Sequence, residues 1–177
     1  MAGQADEGLP RGSFEDKPAK VLLVVSPYYR GVADSLLQGA RAEVEAWGAT
    51  HETAEVPGAL ELAPAVAMAA RFGEFHAFVA LGCVIRGETS HYETVCEESA
   101  HGLTLLGLQG TPVGNGILTV ETLAQAEVRA DPAGQNKGGG AAAAALHLLA
   151  LSRKWQRPEK GLGFLRERLG TGAGSGE

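Results

Sequence analysis

The chain has 177 residues, with 15 Lys and Arg against 21 Asp and Glu and a formal charge of −6. That length fits one domain with tails, and the acidic balance argues against nucleic acid or an anionic membrane surface as the main partner. Hydrophobic residues make up 45% of the chain but aromatics only 6%, and 25 residues are Gly, so the core is expected to pack closely and backbone to backbone.

Residues 1–19 mix Gly, Pro and charge without a period, which predicts a flexible N-terminal segment and no secretory signal. Lys20 to Ser26 is a continuous, partly β-branched apolar run and predicts a strand buried on both faces. Ala33, Leu36, Leu37, Ala40, Val44 and Trp47 then form one helical stripe, stopped at Gly48. Thr50 to Val56 predicts a second strand, ended by Pro57-Gly58. A helix follows from near Glu61 to Arg71, with Pro64 tolerated in its first turn.

His76 to Cys83 predicts the third strand. Ser90-His-Tyr-Glu93 has the form of a capping box, and Tyr92, Val95, Ser99, Gly102, Leu103 and Leu106 make the stripe of the helix behind it. Pro112 to Leu118 predicts a fourth strand, and Thr119 a cap for a helix through Arg129. An Ala-rich helix opened by Lys137 closes the domain near Trp155, giving a folded unit over 20–157 and a Gly-rich, flexible tail over 158–177.

Strands alternating with helices imply an α/β fold, a four-stranded parallel sheet flanked by helices on both faces. Ligands in such folds sit beyond the carboxyl ends of the strands. The segments to search are therefore 26–31, 56–61, 83–91, 115–119 and 129–137. No P-loop, G-x-G-x-x-G, G-x-S-x-G or H-E-x-x-H pattern occurs, and no acidic pair follows the first strand. Five scattered His and two Cys, Cys83 and Cys96, give neither a metal spacing nor a disulfide framework. No apolar run approaches the roughly 20 residues of a membrane span, so a soluble, cytoplasmic protein is expected.

The richest strand end is Gly82 to His91. A helix N-terminus there favours a phosphate or carboxylate, and its dipole favours a neutral imidazole at His91 for proton transfer. Alternatively Arg86 and His91 only solvate a helix start. Arg129, closing one helix, is either a phosphate clamp or a surface cation, and Lys137, opening the last helix, reads as a surface cation. Gly138 to Gly140 make an anion nest or permit close helix packing. Tyr28 stacks on a heterocycle or simply packs, and Glu61 binds hydroxyls or charges a helix start.

Taken together, Val56-Pro-Gly-Ala-Leu-Glu61, Gly82-Cys-Val-Ile-Arg-Gly-Glu-Thr-Ser-His91 with Tyr92 to Val95, Pro112 to Thr119, Glu121 to Arg129, and Asn136-Lys-Gly138 resemble the lumazine synthase family in content and order. The resemblance covers nearly all of 20–154. It implies a flavodoxin-like three-layer sandwich and condensation of 5-amino-6-(D-ribitylamino)uracil with 3,4-dihydroxy-2-butanone 4-phosphate, without metal or organic cofactor.

By position it implies that Tyr28 stacks on the pyrimidine and that Ala59, Leu60 and Glu61 bind the ribityl chain. Cys83, Val84 and Ile85 fix the uracil, while Glu88, Thr89 and Arg129 hold the phosphate ester. His91 moves protons, and Lys137 lies near the site. Asn115 stands where many members have an aromatic, and Tyr28-Tyr29 replaces a common Phe-Asn pair. The family shares its sites between neighbouring subunits of pentamers or 60-subunit shells. A carrier of flavin or lumazine on the same fold, and a receiver-like phosphate-binding domain, are the competing readings.

Overall fold

The computed structural model describes residues 9–156; residues 1–8 and 157–177, which include the expected 158–177 tail, lie outside them. Four strands, β1 (Lys20–Val25), β2 (Thr50–Glu55), β3 (Ala77–Ile85) and β4 (Val113–Val120), form one parallel sheet in the order β2-β1-β3-β4. The helices are α1 (Arg30–Ala46), α2 (Leu62–Phe72), α3 (His91–Leu108), α4 (Leu123–Ala130) and α5 (Lys137–Trp155), with a 3-10 turn at Ala59–Glu61. This is the expected flavodoxin-like three-layer sandwich.

The period of two along β1 and β3 sorts the core into two halves. Val21, Leu23, Val25, Val79 and Leu81 pack against α1 and α5. Leu22, Val24, Phe78 and Ala80 face α2 and α3. Each central strand buries both faces, as the unbroken run from Val21 to Val25 requires.

The stripe of α1 is buried throughout, and Gly48 takes up φ +71° just past its end, where a side chain would be strained. Asn136 is the non-Gly residue with positive φ (44°) among the described residues, and its Oδ1 accepts the Gly139 N–H at 3.0 Å to cap α5. Of the glycine run, Gly138 decides the packing. A Cβ there would collide with the Leu36 carbonyl of α1, whereas one at Gly140 would meet open space. The run thus permits helix contact rather than forming a nest.

Several element boundaries differ from expectation, and β3 runs on past Cys83 to Ile85. β4 continues past Leu118 to Val120 because its ladder with β3 extends to the Ile85–Val120 pair. Thr119 is therefore inside the strand, and Thr122 caps α4 instead, accepting the Gln125 N–H at 3.3 Å.

Residues 9–19, expected to be loose, pack on the α1–α5 layer. Phe14 is 5% exposed and stacks on Trp47 at 5.5 Å between centroids. Its N–H donates to the Trp47 carbonyl at 2.8 Å, and Arg153 donates to the carbonyls of Lys17 and Pro18. Arg11 makes a bidentate pair with Glu43 (Nε–Oε1 2.9 Å, Nη2–Oε2 2.7 Å), whose Oε1 also accepts the buried Trp47 indole N–H at 2.9 Å.

Arg11 first, and the Trp47 N–H with it, hold the Glu43 carboxyl below the usual range against the opposing effect of burial. A lowered native pKa adds stability above the ordinary value of about 4.3 and loses it as pH falls through the native one. Melting temperatures from pH 7 to pH 3 should therefore fall less steeply for Glu43→Gln than for the natural protein. Glu43→Ala should cost about 1–3 kcal/mol at pH 7, because the indole N–H loses its acceptor.

Candidate active site

Strand order makes β1 and β3 neighbours whose following connections leave in opposite directions, to β2 on one side and towards β4 on the other. The carboxyl ends of such a pair leave a crevice. A cavity of about 410 Å³ occupies it, within the range of small-molecule sites.

Each wall comes from one strand end. Ser26, Tyr28 and Tyr29 follow β1, and Gly58 to Glu61 follow β2. Cys83, Val84 and Ile85 end β3, and Gly87, Thr89, His91, Tyr92 and Val95 come from the next loop and the first turns of α3. Of the residues expected here, Tyr28, Ala59, Leu60, Glu61, Cys83, Val84, Ile85, Thr89 and His91 are thus brought together. Glu88 is exposed on the same loop but is not part of the wall.

The floor is fixed and the rim is open. Ser26 is buried, and its N–H donates to the Leu81 carbonyl at 2.9 Å, extending the β1–β3 ladder into the cavity. At Gly82 a Cβ would stand 3.3 Å from Leu62, so β3 packs closely on the start of α2 just below the strand end. Tyr28 is 74% exposed and free to cover a planar ligand. Burial pushes the Cys83 thiol up to about 11 and raises the Tyr29 phenol, so both walls are neutral near pH 7.

The loop before α3 differs from its expected form. Ser90 precedes the helix but makes no side-chain cap, and the His91 N–H instead donates to Thr89 Oγ1 at 3.4 Å. The box fails because Glu93 is taken by Arg86, whose Nε also lies 2.8 Å from Glu121 Oε2. Arg86 is consequently held by two carboxylates outside the cavity wall.

Asn115, Arg129 and Lys137 do not join this cavity within the chain. They line a separate groove of about 400 Å³ along β4 and the start of α5. The segment 115–119 was sought as a strand end, but it lies inside β4, on the edge of the sheet. Asn115 Oδ1 accepts the Ile117 N–H at 2.9 Å, and Arg129 donates to the Gln125 carbonyl at 2.9 Å.

Ser26, Tyr29, Gly58, Gly87, Tyr92 and Val95 belong to the wall and were not singled out as ligands. The signal for Val95 was present, since i, i+4 spacing puts it on the His91 face of α3. That for Gly58 was its place in Val56 to Glu61, where a Cβ would approach Glu61 Oε2 to 2.9 Å. Among the described residues, no group of three or more His, Cys, Asp or Glu is placed to hold a metal ion, and no helix is long and apolar enough to cross a membrane.

Comparison with known proteins gives this geometry a context. The sequence model for 6,7-dimethyl-8-ribityllumazine synthase matches residues 18–153. The chain is 54% identical over 164 residues to the 6,7-dimethyl-8-ribityllumazine synthase of Jannaschia sp. (strain CCS1), covering 93% of this chain and 92% of that protein. Against the enzymes of the same name from Sphingopyxis alaskensis and Zymomonas mobilis subsp. mobilis it is 53% and 52% identical, over 77% of this chain in each case and 97% and 98% of theirs. The match runs from the end of the N-terminal segment to the last turns of α5 and takes in every segment that lines the cavity, and the chain belongs to the 6,7-dimethyl-8-ribityllumazine synthase family, transferases of riboflavin biosynthesis.

Proposed function

We propose that the chain condenses 5-amino-6-(D-ribitylamino)uracil with 3,4-dihydroxy-2-butanone 4-phosphate to 6,7-dimethyl-8-ribityllumazine, phosphate and water, the penultimate step of riboflavin biosynthesis, in the cytoplasm. The observation that carries this reading is the meeting of His91 and Thr89 with the end of β3 and the Ala59–Glu61 turn in one cavity.

The uracil lies under Tyr28 and against the backbone of Cys83 to Ile85, with the ribityl chain along Ala59, Leu60 and Glu61. The phosphate ester takes the loop of Glu88 and Thr89, where the first amides of α3 lack intrahelical acceptors. The amine of the uracil attacks the ketone, and the resulting imine loses phosphate, tautomerises and closes the second ring. Every step moves a proton, and His91 is the group at hand to carry it.

Arg129, Asn115 and Lys137 complete the site from a neighbouring copy. Their groove is separate from the His91 cavity within one chain, and a head-to-tail interface that closes into a pentamer joins two different surfaces. Arg129 then pairs with the phosphate bidentately.

Purified protein mixed with both substrates should release phosphate in step with the appearance of lumazine fluorescence. Lumazine bound without phosphate release supports a carrier instead, and no response to either substrate overturns the assignment to this chemistry.

A further inference from the structure

The loop Gly87–Ser90 carries Thr89 and delivers His91, yet almost nothing packs against it. All four residues are exposed, and a Cβ at Gly87 would meet open space. The described hydrogen bonds that the loop accepts are both long, from the His91 N–H to Thr89 Oγ1 and from the Thr94 N–H to the Ser90 carbonyl, 3.4 Å each. A segment this open does not hold a phosphate and an imidazole in register by itself, and misplacement of about 1 Å can cost 10²-fold in rate.

Both ends of the loop are nevertheless gripped by one side chain. Arg86 leaves β3 with its N–H still donating to the Val120 carbonyl at 3.0 Å, so its backbone is fixed to the end of β4. Its guanidinium lies over the Tyr92 ring at 4.1 Å, pairs with Glu93 and reaches Glu121 through Nε at 3.0 Å to Oε1 and 2.8 Å to Oε2. Tyr92 and Glu93 are the two residues after His91. Glu121 is in turn anchored, its N–H donating to Gln125 Oε1 at 2.9 Å.

An exposed ion pair contributes little to stability. Three contacts converging on one planar group are different in kind, because they fix an orientation. The guanidinium spans from the end of β3 to the first turn of α3 and the start of α4, over the loop between them.

We propose that Arg86 is a positioning residue that sets the Gly87–Ser90 loop and the first turn of α3, and thereby the phosphate end of the site. It touches no substrate and acts through Thr89 and His91. This rests on the condensation described above for its kinetic consequence, though not for its structural one.

The test compares Arg86→Ala and Arg86→Lys with the natural protein by peptide-resolved hydrogen exchange, by steady-state kinetics and by fluorescence titration with the ribitylaminouracil alone. In Arg86→Ala, amides of 87–92 should exchange at least about 10-fold faster while the β1 peptide is unchanged. The kcat/KM for the butanone phosphate should fall about 10–100-fold, with the uracil dissociation constant within about 2-fold. Arg86→Lys should recover only part, since an ammonium cannot stack and bridge both carboxylates in one plane.

Unchanged exchange at 87–92 overturns the proposal. So does loosening that spreads into β1, or an equal loss for both substrates, because each marks a role in the fold at large. If the natural protein makes no lumazine, the proposed reaction falls, while the exchange measurement still decides the role of Arg86.

Discussion

Replacement of His91 by alanine is expected to lower kcat by about 10²–10⁴-fold, the usual contribution of a positioned acid or base. Of the other titratable side chains in the wall, Glu61 stands on the turn that the proposed binding mode gives to the ribityl chain. The Cys83 thiol is pushed up to about 11 by burial, and burial also raises the phenols of Tyr29 and Tyr92, so none of these accepts a proton near pH 7.

The residual rate in His91→Ala should remain well above the uncatalysed one. Holding two reactants together supplies up to roughly 7–11 kcal/mol in favourable cases, and the walls that do so are untouched by the change. The KM for the uracil substrate should accordingly stay close to its original value, because Tyr28 and the Ala59–Glu61 turn are intact. Steady-state rates at pH 7 decide the matter, and an unchanged kcat removes His91 from the chemistry.

What could be read from the sequence was what is encoded locally. The run Val21 to Val25 and the stripe from Ala33 to Val44 carry their own periods, so β1 and α1 fall where expected. His91 and Lys137 open their helices as expected too. Phe14 was invisible, since a single anchor among Gly, Pro and charge has no period, and its partner Trp47 is 33 positions away. The capping box at Ser90 is a local pattern overridden by a competitor: Arg86, pinned at the end of β3, takes the Glu93 carboxylate. The Thr119 cap fails similarly, because pairing with β3 carries β4 on through Thr119 to Val120. Which of the strand-end segments would meet was a question of strand order, and the β2-β1-β3-β4 arrangement leaves Asn115 on an outer edge.

That separation gives the second large effect. Arg129→Ala should raise the apparent KM for the butanone phosphate by roughly 10–100-fold, as loss of a charge-assisted hydrogen-bonded contact to the ester implies. Taken alone, this does not say which copy supplies the guanidinium. Co-assembly of His91→Ala chains with Arg129→Ala chains does. If a site draws His91 from one copy and Arg129 from the next, random mixing in equal amounts leaves about one quarter of the head-to-tail interfaces with both groups intact.

Activity at low butanone phosphate should then rise from the small residue of either variant to about a quarter of the natural value. Chains refolded together from denaturant should show the recovery, and preformed assemblies merely mixed should not. A site contained in one chain predicts no recovery under either protocol, because every copy then lacks one of the two groups. The groove holding Arg129 and the cavity holding His91 are lined by different surfaces of the same chain, so recovery is the expected result.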